Sequence, residues 1–248
     1  MTTANEQRSC LYRKVSNYID VSEEDLVHLE ALEADRQSYP ARQRLRRPGE
    51  KADALFIVRR GWLYSATDVK DGRRHIQGIH FPGDVIGISD VTLTACRASL
   101  ITATDAELCR LPKPGLRALF ETSPRLAALF FAFGAIESVI LTERLEAVAR
   151  LEADARLAHF LMQIHSRLRV TSSDKTNWFR MPLSQEVIGD AIGLTQAYVN
   201  RTFKTLEERG LVERHHNGVE LLDLDGLSEL SGYEDRYSTI DQHWMPPH

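Results

Sequence analysis

The spacing of apolar residues along this chain changes character three times, and each change predicts a different kind of element. Residues 22–34 predict a short helix: Ser22 stands as an N-cap before Glu23, Glu24 and Asp25, and Leu26, Leu29 and Leu32 fall on one side. From about 38 to 112 the pattern turns to short strands such as "ALFIVRRGWLYSATDV", broken by Gly49, Gly61, Gly72, Gly83 and Gly87. "RPGE", "KDGRR" and "FPGD" place Pro, Asp and Gly where chain reversals need them, so the segment is expected to form an antiparallel β-roll or barrel. After "LPKPG" the spacing becomes helical, first over 114–120 and then from Pro124 towards Arg150. In the long helix Leu126, Leu129, Phe133, Ile136, Ile140, Glu143 and Ala147 alternate by three and four residues, the seam of two helices packed lengthwise. Leu129, Phe133, Ile136 and Ile140 are therefore the expected dimer contacts. Phe130, Val139 and Leu141 add a second apolar face, which leaves open that the seam packs on the chain's own β-domain.

The last third predicts a helix over 153–168, a polar break "VTSSDKTN", a strand "WFRMP" and then two short helices. Ser184 caps the first, whose Ile188 and Ile192 point inward, and Thr195 caps the second, in which Val199, Phe203 and Leu206 recur at helical spacing. Gly189 allows close contact and Gly193 allows the turn, giving a helix-turn-helix. Asn217-Gly218 then signals a hairpin, a two-stranded wing. From 225 onward the chain reads as a polar tail with no assigned role. The outer face of the second helix carries side chains that suit a DNA major groove. Arg201 can pair with guanine O6 and N7, Asn200 and Gln196 with adenine N6 and N7, and the Ala197 methyl with thymine. Ser184, Lys204, Arg214 and Asn217 of the wing are placed for phosphates.

Composition narrows the function classes. With 43% hydrophobic and 27% charged residues the chain suits a globular protein, and its net charge of −4 requires any DNA contact to come from a local basic surface. Cys10, Cys96 and Cys109 are widely spaced, without zinc-site spacing, and "MTTANEQRSC" lacks the apolar core of a signal peptide; together these predict a cytoplasmic protein without a metal. The apolar run 126–141 falls short of the ~20 residues that span a bilayer and contains Glu137, so no membrane association is expected. No GxSxG, P-loop, HExxH or dinucleotide motif occurs, and no catalytic residue is assigned.

The order of β-roll, long helix and winged helix-turn-helix resembles the Crp/Fnr family of bacterial transcription regulators over about residues 20–224. "RPGEKADALFIVRRGWLY" is similar to the family's first β-roll turn, "FPGDVIGI" to its second, and "IGLTQAYVNRTFKTLEERGLV" to its recognition helix and exit into the wing. The resemblance implies an α+β chain: a cupin-like β-roll sensor with an N-terminal helix over 1–120, a dimerisation helix over 121–150, a DNA-binding winged helix-turn-helix over 151–224 and a tail over 225–248. It implies a homodimer on an inverted-repeat operator, with RNA polymerase as a protein partner. Arg201 matches a family arginine that reads guanine, whereas Ala197 replaces the family's glutamate, so the half-site is expected to depart from the usual TGA-type core.

In cyclic-nucleotide-binding members the resemblance places a glutamate on the ribose and an arginine with a hydroxyl residue on the phosphate. Here Gly87-Ile88-Ser89 puts Ile88 at the glutamate position, Arg97 matches the arginine, and Ala98 replaces the hydroxyl residue before Ser99. Gly87, Ile88, Arg97 and Ser99 thus mark the effector pocket without the full cyclic-AMP set, and the effector stays unidentified. Cys10 alone does not make the N-terminal cysteine set of the oxygen-sensing relatives. His28, His75 and His80 are isolated histidines rather than a haem ligand set, so no cofactor is expected. Cys96 beside Arg97 could have a lowered thiol pKa, but a buried inert thiol is the commoner outcome for such a residue. Asp84 and Asp90 suit a polar pocket or a solvated turn. A rival reading is a β-roll ligand-binding or scaffold protein whose C-terminal domain contacts protein rather than DNA.

Overall fold

The computed structural model describes residues 9–68, 74–172 and 176–246; the Asp71-Gly72 turn of "KDGRR" lies outside the described residues. Two helices come first among the described residues. In α1 (Cys10–Tyr18) Ser9 Oγ accepts from the Tyr12 amide at 3.0 Å, and Leu11, Val15 and Tyr18, spaced by four and three, are buried. This helix, with a readable cap and period, precedes the one expected from Ser22 onward. In α2 (Glu23–Leu32) Ser22 and Asp25 form a reciprocal capping box. Its Leu29 and Leu32 are buried, while Leu26 is half-buried.

Eight strands follow: β1 (Arg36–Tyr39), β2 (Arg44–Arg46), β3 (Ala54–Arg60), β4 (Leu63–Asp68), β5 (Arg74–His80), β6 (Val85–Ile86), β7 (Ser99–Thr102) and β8 (Ala106–Pro112). They form two four-stranded sheets, ordered β1-β8-β3-β6 and β2-β7-β4-β5. Val58, Leu63, Ile86, Leu100, Ala106 and Leu108 make their shared core. Pro48-Gly49 and Pro82-Gly83 turn the chain, with φ of 87° and 92° at the glycines and i-to-i+3 hydrogen bonds Glu50 N to Arg47 O and Asp84 N to Phe81 O.

After α3 (Lys113–Thr122) comes α4 (Pro124–Arg150). The expected seam is largely covered by the chain's own packing. Leu129, Phe133 and Ile140 are buried inside the single chain, as are Leu126, Glu143 and Ala147, and Ile136 is half-buried. The face left outward is Phe131, Ala135, Ser138, Thr142 and Leu145, which also steps by four and three; Phe131 and Leu145 are 70% and 69% exposed. The helix carries apolar residues on more than one face, and the richer set went to the chain's own core. By length and composition α4, with a mean hydropathy of 1.7 in its most apolar window, is long enough to cross a membrane. Its buried Leu126, Leu129, Phe130 and Phe133 are those of a core helix, which passes the same test.

The C-terminal elements are α5 (Ala153–Arg169), β9 (Trp178–Arg180), α6 (Gln185–Ile192), α7 (Gln196–Glu208), β10 (Val212–His215), β11 (Gly218–Leu221) and α8 (Leu224–Ser231). Strands β10, β11 and β9 form an antiparallel sheet in that order. The tail expected from 225 is a correction: α8 is capped by Asp223, Leu227 is fully buried, and Tyr233 and Tyr237 are core residues. The Tyr237 hydroxyl donates to the Glu143 carboxylate and accepts from Gln163 Nε2 at 3.5 Å. Three scattered apolar residues among polar ones gave no period, because they pack on helices far away in sequence. The chain divides into two compact units, one of residues up to Thr67 with Ile79–Ser138 and Thr239 onward, the other of Asp68–Gly78 with Val139–Ser238.

Candidate nucleic-acid interface

The α6–α7 pair is built by local rules. Ser184 Oγ accepts from the Val187 amide at 3.2 Å to start α6, and Thr195 Oγ1 accepts from the Tyr198 amide at 3.3 Å to start α7. Gly193 ends α6 in the left-handed region, φ 71°, and the Leu194 amide donates back to Gly189 O at 2.9 Å. A Cβ on Gly189 would lie 2.4 Å from Leu194 O, so the tight turn requires glycine there. Val199, Thr202, Phe203 and Leu206 bury one face of α7, leaving Gln196, Ala197, Asn200, Arg201 and Lys204 together on the exposed face.

These side chains differ in how far their polar groups are committed. Among the described residues no ion pair engages Arg201, whose guanidinium carbon lies 5.5 Å from the Tyr198 ring centre. Lys204 is exposed and, among the described residues, pairs with Glu208 at 3.6 Å. Arg214 is different, because its guanidinium is already engaged within the domain. Its guanidinium grips Glu207 through Nε at 3.0 Å and Nη2 at 2.7 Å, lies 5.0 Å from the Phe203 ring centre, and donates through Nη1 to Asn200 Oδ1 at 3.3 Å. The Arg214 hydrogen bonds hold the Glu207 carboxyl below the usual glutamate range. Gln185 Nε2 donates to the same Asn200 oxygen at 2.5 Å. Neither Gln185 nor Glu207 was singled out from the sequence: Glu207 and Arg214 sit on different elements, and no local spacing announces the contact.

The wing turns at His216-Asn217, which leaves Asn217 exposed at its tip. Gly218 is the first residue of β11, without positive φ, rather than part of the turn as its Asn-Gly pair suggested. Its lack of a side chain serves packing, since a Cβ there would stand 2.5 Å from Phe179 O. On the outer face of the hairpin Glu213, His215 and Glu220 bring ligand atoms within 4.8 Å of one another, with His215 Nε2 already 3.5 Å from the Glu220 carboxylate.

In the β-roll the four pocket residues do not share one environment. Gly87 is buried with φ 98°, Ser99 is buried, Ile88 is half-buried and Arg97 is exposed. Ile88 Cγ2 lies 3.1 Å from the point where a Cβ on Gly134 of α4 would stand, so this side chain packs on the helix. The buried arginine beside Gly87 is Arg46, whose Nη2 pairs with Asp90 at 2.8 Å. Asp84 pairs with Lys14 at 2.6 Å, so neither aspartate is a solvated turn residue. Cys96 is buried, and desolvation pushes its thiol up rather than down. His80 is a buried histidine, 2.7 Å from Ser65 Oγ; His28 is half-buried and His75 exposed.

Comparison with known proteins places this geometry among relatives. Residues 155–230 match the Crp-like helix-turn-helix domain, and residues 36–123 the cyclic nucleotide-binding domain. The transcriptional regulatory protein btr of Bordetella pertussis is 26% identical over 226 residues, 91% of this chain and 93% of that protein. The nitrogen fixation regulation protein FixK of Bradyrhizobium diazoefficiens is 30% identical over 170 residues, 68% of this chain and 70% of that one. Among solved structures, FixK2 from Bradyrhizobium japonicum superposes with a TM-score of 0.72 at 24% identity, over 80% of this chain and 98% of that one.

Proposed function

The chain belongs to the Crp/Fnr family of DNA-binding transcription regulators, and on that premise we propose that it binds an inverted-repeat operator as a homodimer in the cytoplasm and acts on RNA polymerase there. The carrying observation is the exposed face of α7, where Arg201 and Lys204 present positive charge beside Gln196 and Ala197. In this reading Gln196, Ala197, Asn200 and Arg201 face base edges, while Ser184, Lys204 and Asn217 meet phosphates. Arg214 serves the interface by holding Glu207 and Asn200 rather than by touching the backbone. Two recognition helices related by a two-fold axis meet successive major grooves, so half-sites fall about one helical turn apart.

The partner subunit is proposed to pack on the outward face of α4, through Phe131 and Leu145, which are apolar and exposed. The β-roll is proposed to act without cyclic AMP, because Ile88 is unable to hold a ribose hydroxyl and Asp90 already neutralises the buried Arg46. Selection of bound sequences from a random duplex pool tests the function directly. The expected outcome is an enriched palindrome whose affinity falls steeply with salt; weak, salt-independent binding without enrichment would instead favour a protein-contacting domain.

A further inference from the structure

Asn200 is the residue of the exposed α7 face whose hydrogen-bonding capacity the fold has already divided. A primary amide offers one oxygen acceptor and one NH2 donor, and reading adenine takes both: the oxygen accepts from N6 while the NH2 donates to N7. In this structure the oxygen is consumed twice over, by Gln185 Nε2 at 2.5 Å and by Arg214 Nη1 at 3.3 Å. Chemistry fixes which amide atom faces inward. A guanidinium carries only donors, so the Asn200 atom that meets it is the oxygen; turning the amide over would set N–H against N–H. Arg214 is in turn held by two hydrogen bonds to Glu207, so its inner contact with Asn200 does not depend on a loose side chain. Among the described residues no hydrogen bond engages Asn200 Nδ2, and the residue is exposed.

We infer that Asn200 is presented to DNA as a donor-only group, selecting guanine, whose O6 and N7 both accept, over adenine, with Gln185, Arg214 and Glu207 as its positioning residues. The inference rests on the DNA-binding reading and deepens it. It reverses the adenine preference that an asparagine in this position suggests by residue type alone. Adenine would keep one acceptor, N7, but set its N6–H2 donors against the Asn200 NH2, and cytosine would offer only a donor.

The test starts from the selected operator. Asn200→Ala identifies the base pair it reads as the one whose preference disappears, and wild-type affinity is then measured on the four variants of that pair. Guanine is expected to bind roughly ten-fold or more tightly than adenine, the range of one good bidentate contact. The double variant Gln185→Ala/Arg214→Met, which frees the amide oxygen, is expected to move the preference towards adenine at that pair only. Gln185→Ala alone, which leaves the Arg214–Glu207 clamp in place, is the milder variant should the double one fold poorly, and is expected to narrow the gap. Adenine preferred by wild type, an unchanged preference in both variants, or no position altered by Asn200→Ala would each overturn the inference while leaving DNA binding intact. A pool with no enriched sequence would remove the DNA-binding reading and this inference with it.

Discussion

Arg201 and Lys204 each bring one positive charge to the same exposed face of α7, yet their loss should read differently. If Arg201 reads guanine, Arg201→Ala costs about 1–3 kcal/mol on the selected operator and much less on scrambled DNA. Lys204→Ala, removing a phosphate contact, should weaken both duplexes alike and lower the salt slope by about one unit per half-site. Titrations of both variants at several salt concentrations separate the roles; equal, sequence-independent losses would refute Arg201 as the base reader. Glu207 gives a pH-dependent counterpart. Arg214 depresses its folded-state pKa below the ordinary value of 4.5, so its contribution to stability is fully present above that value and is lost as pH falls through the folded pKa. The melting-temperature gap between wild type and Glu207→Gln is therefore expected to be widest near neutral pH and to close as pH falls through the depressed folded pKa. A gap that widens on acidification would show the opposite linkage.

At the scale of elements, α4 is where period and packing part company. The three-four alternation of Leu129, Phe133, Ile136 and Ile140 was legible, and so was the presence of a second apolar face, but the outward set is Phe131, Ala135, Ser138, Thr142 and Leu145. The two faces predict separable phenotypes. Leu145→Asp should give a folded monomer by light scattering and calorimetry, because the new carboxylate meets water in the free chain and is buried only in the dimer. Phe133→Asp should unfold the protein, since a carboxylate at this buried position costs several kcal/mol, roughly, and the apolar packing of the ring is forfeited as well. A stable Phe133→Asp monomer beside an intact Leu145→Asp dimer would restore the seam the spacing suggested. The helix-turn-helix behaves in the other way: caps at Ser184 and Thr195 and glycines at 189 and 193 act through neighbours a few residues away, so its sequence and its structure coincide.

For the whole molecule, the C-terminal segment carries the largest revision. Tyr237 is 1% exposed and its hydroxyl donates to Glu143, whose other oxygen accepts from Arg236 at 2.9 Å. Tyr237→Ala is expected to cost about 3 kcal/mol or more by calorimetric or denaturant unfolding, and Tyr237→Phe about 1–3 kcal/mol, by leaving the Glu143 carboxylate short of a donor. A solvated tail would leave both variants near wild type. A net charge of −4 is compatible with DNA binding because the exposed face of α7 carries its own cations, one of them without an ion-pair partner among the described residues.

The β-roll, the long helix and the winged helix-turn-helix were all legible in the chain, because alternation, helical period, N-caps and Pro-Gly turns act over a few residues. Three outcomes belonged to the tertiary structure alone: which face of α4 is covered, which arginine stands buried beside Gly87, and which atom of Asn200 is left to meet a ligand. Each depends on partners distant in sequence or on another element: the chain's own core for Phe133, Asp90 for Arg46, Gln185 and Arg214 for Asn200. A residue's type states what it can bond. Which of those bonds remain available is decided by the neighbours that folding brings to it.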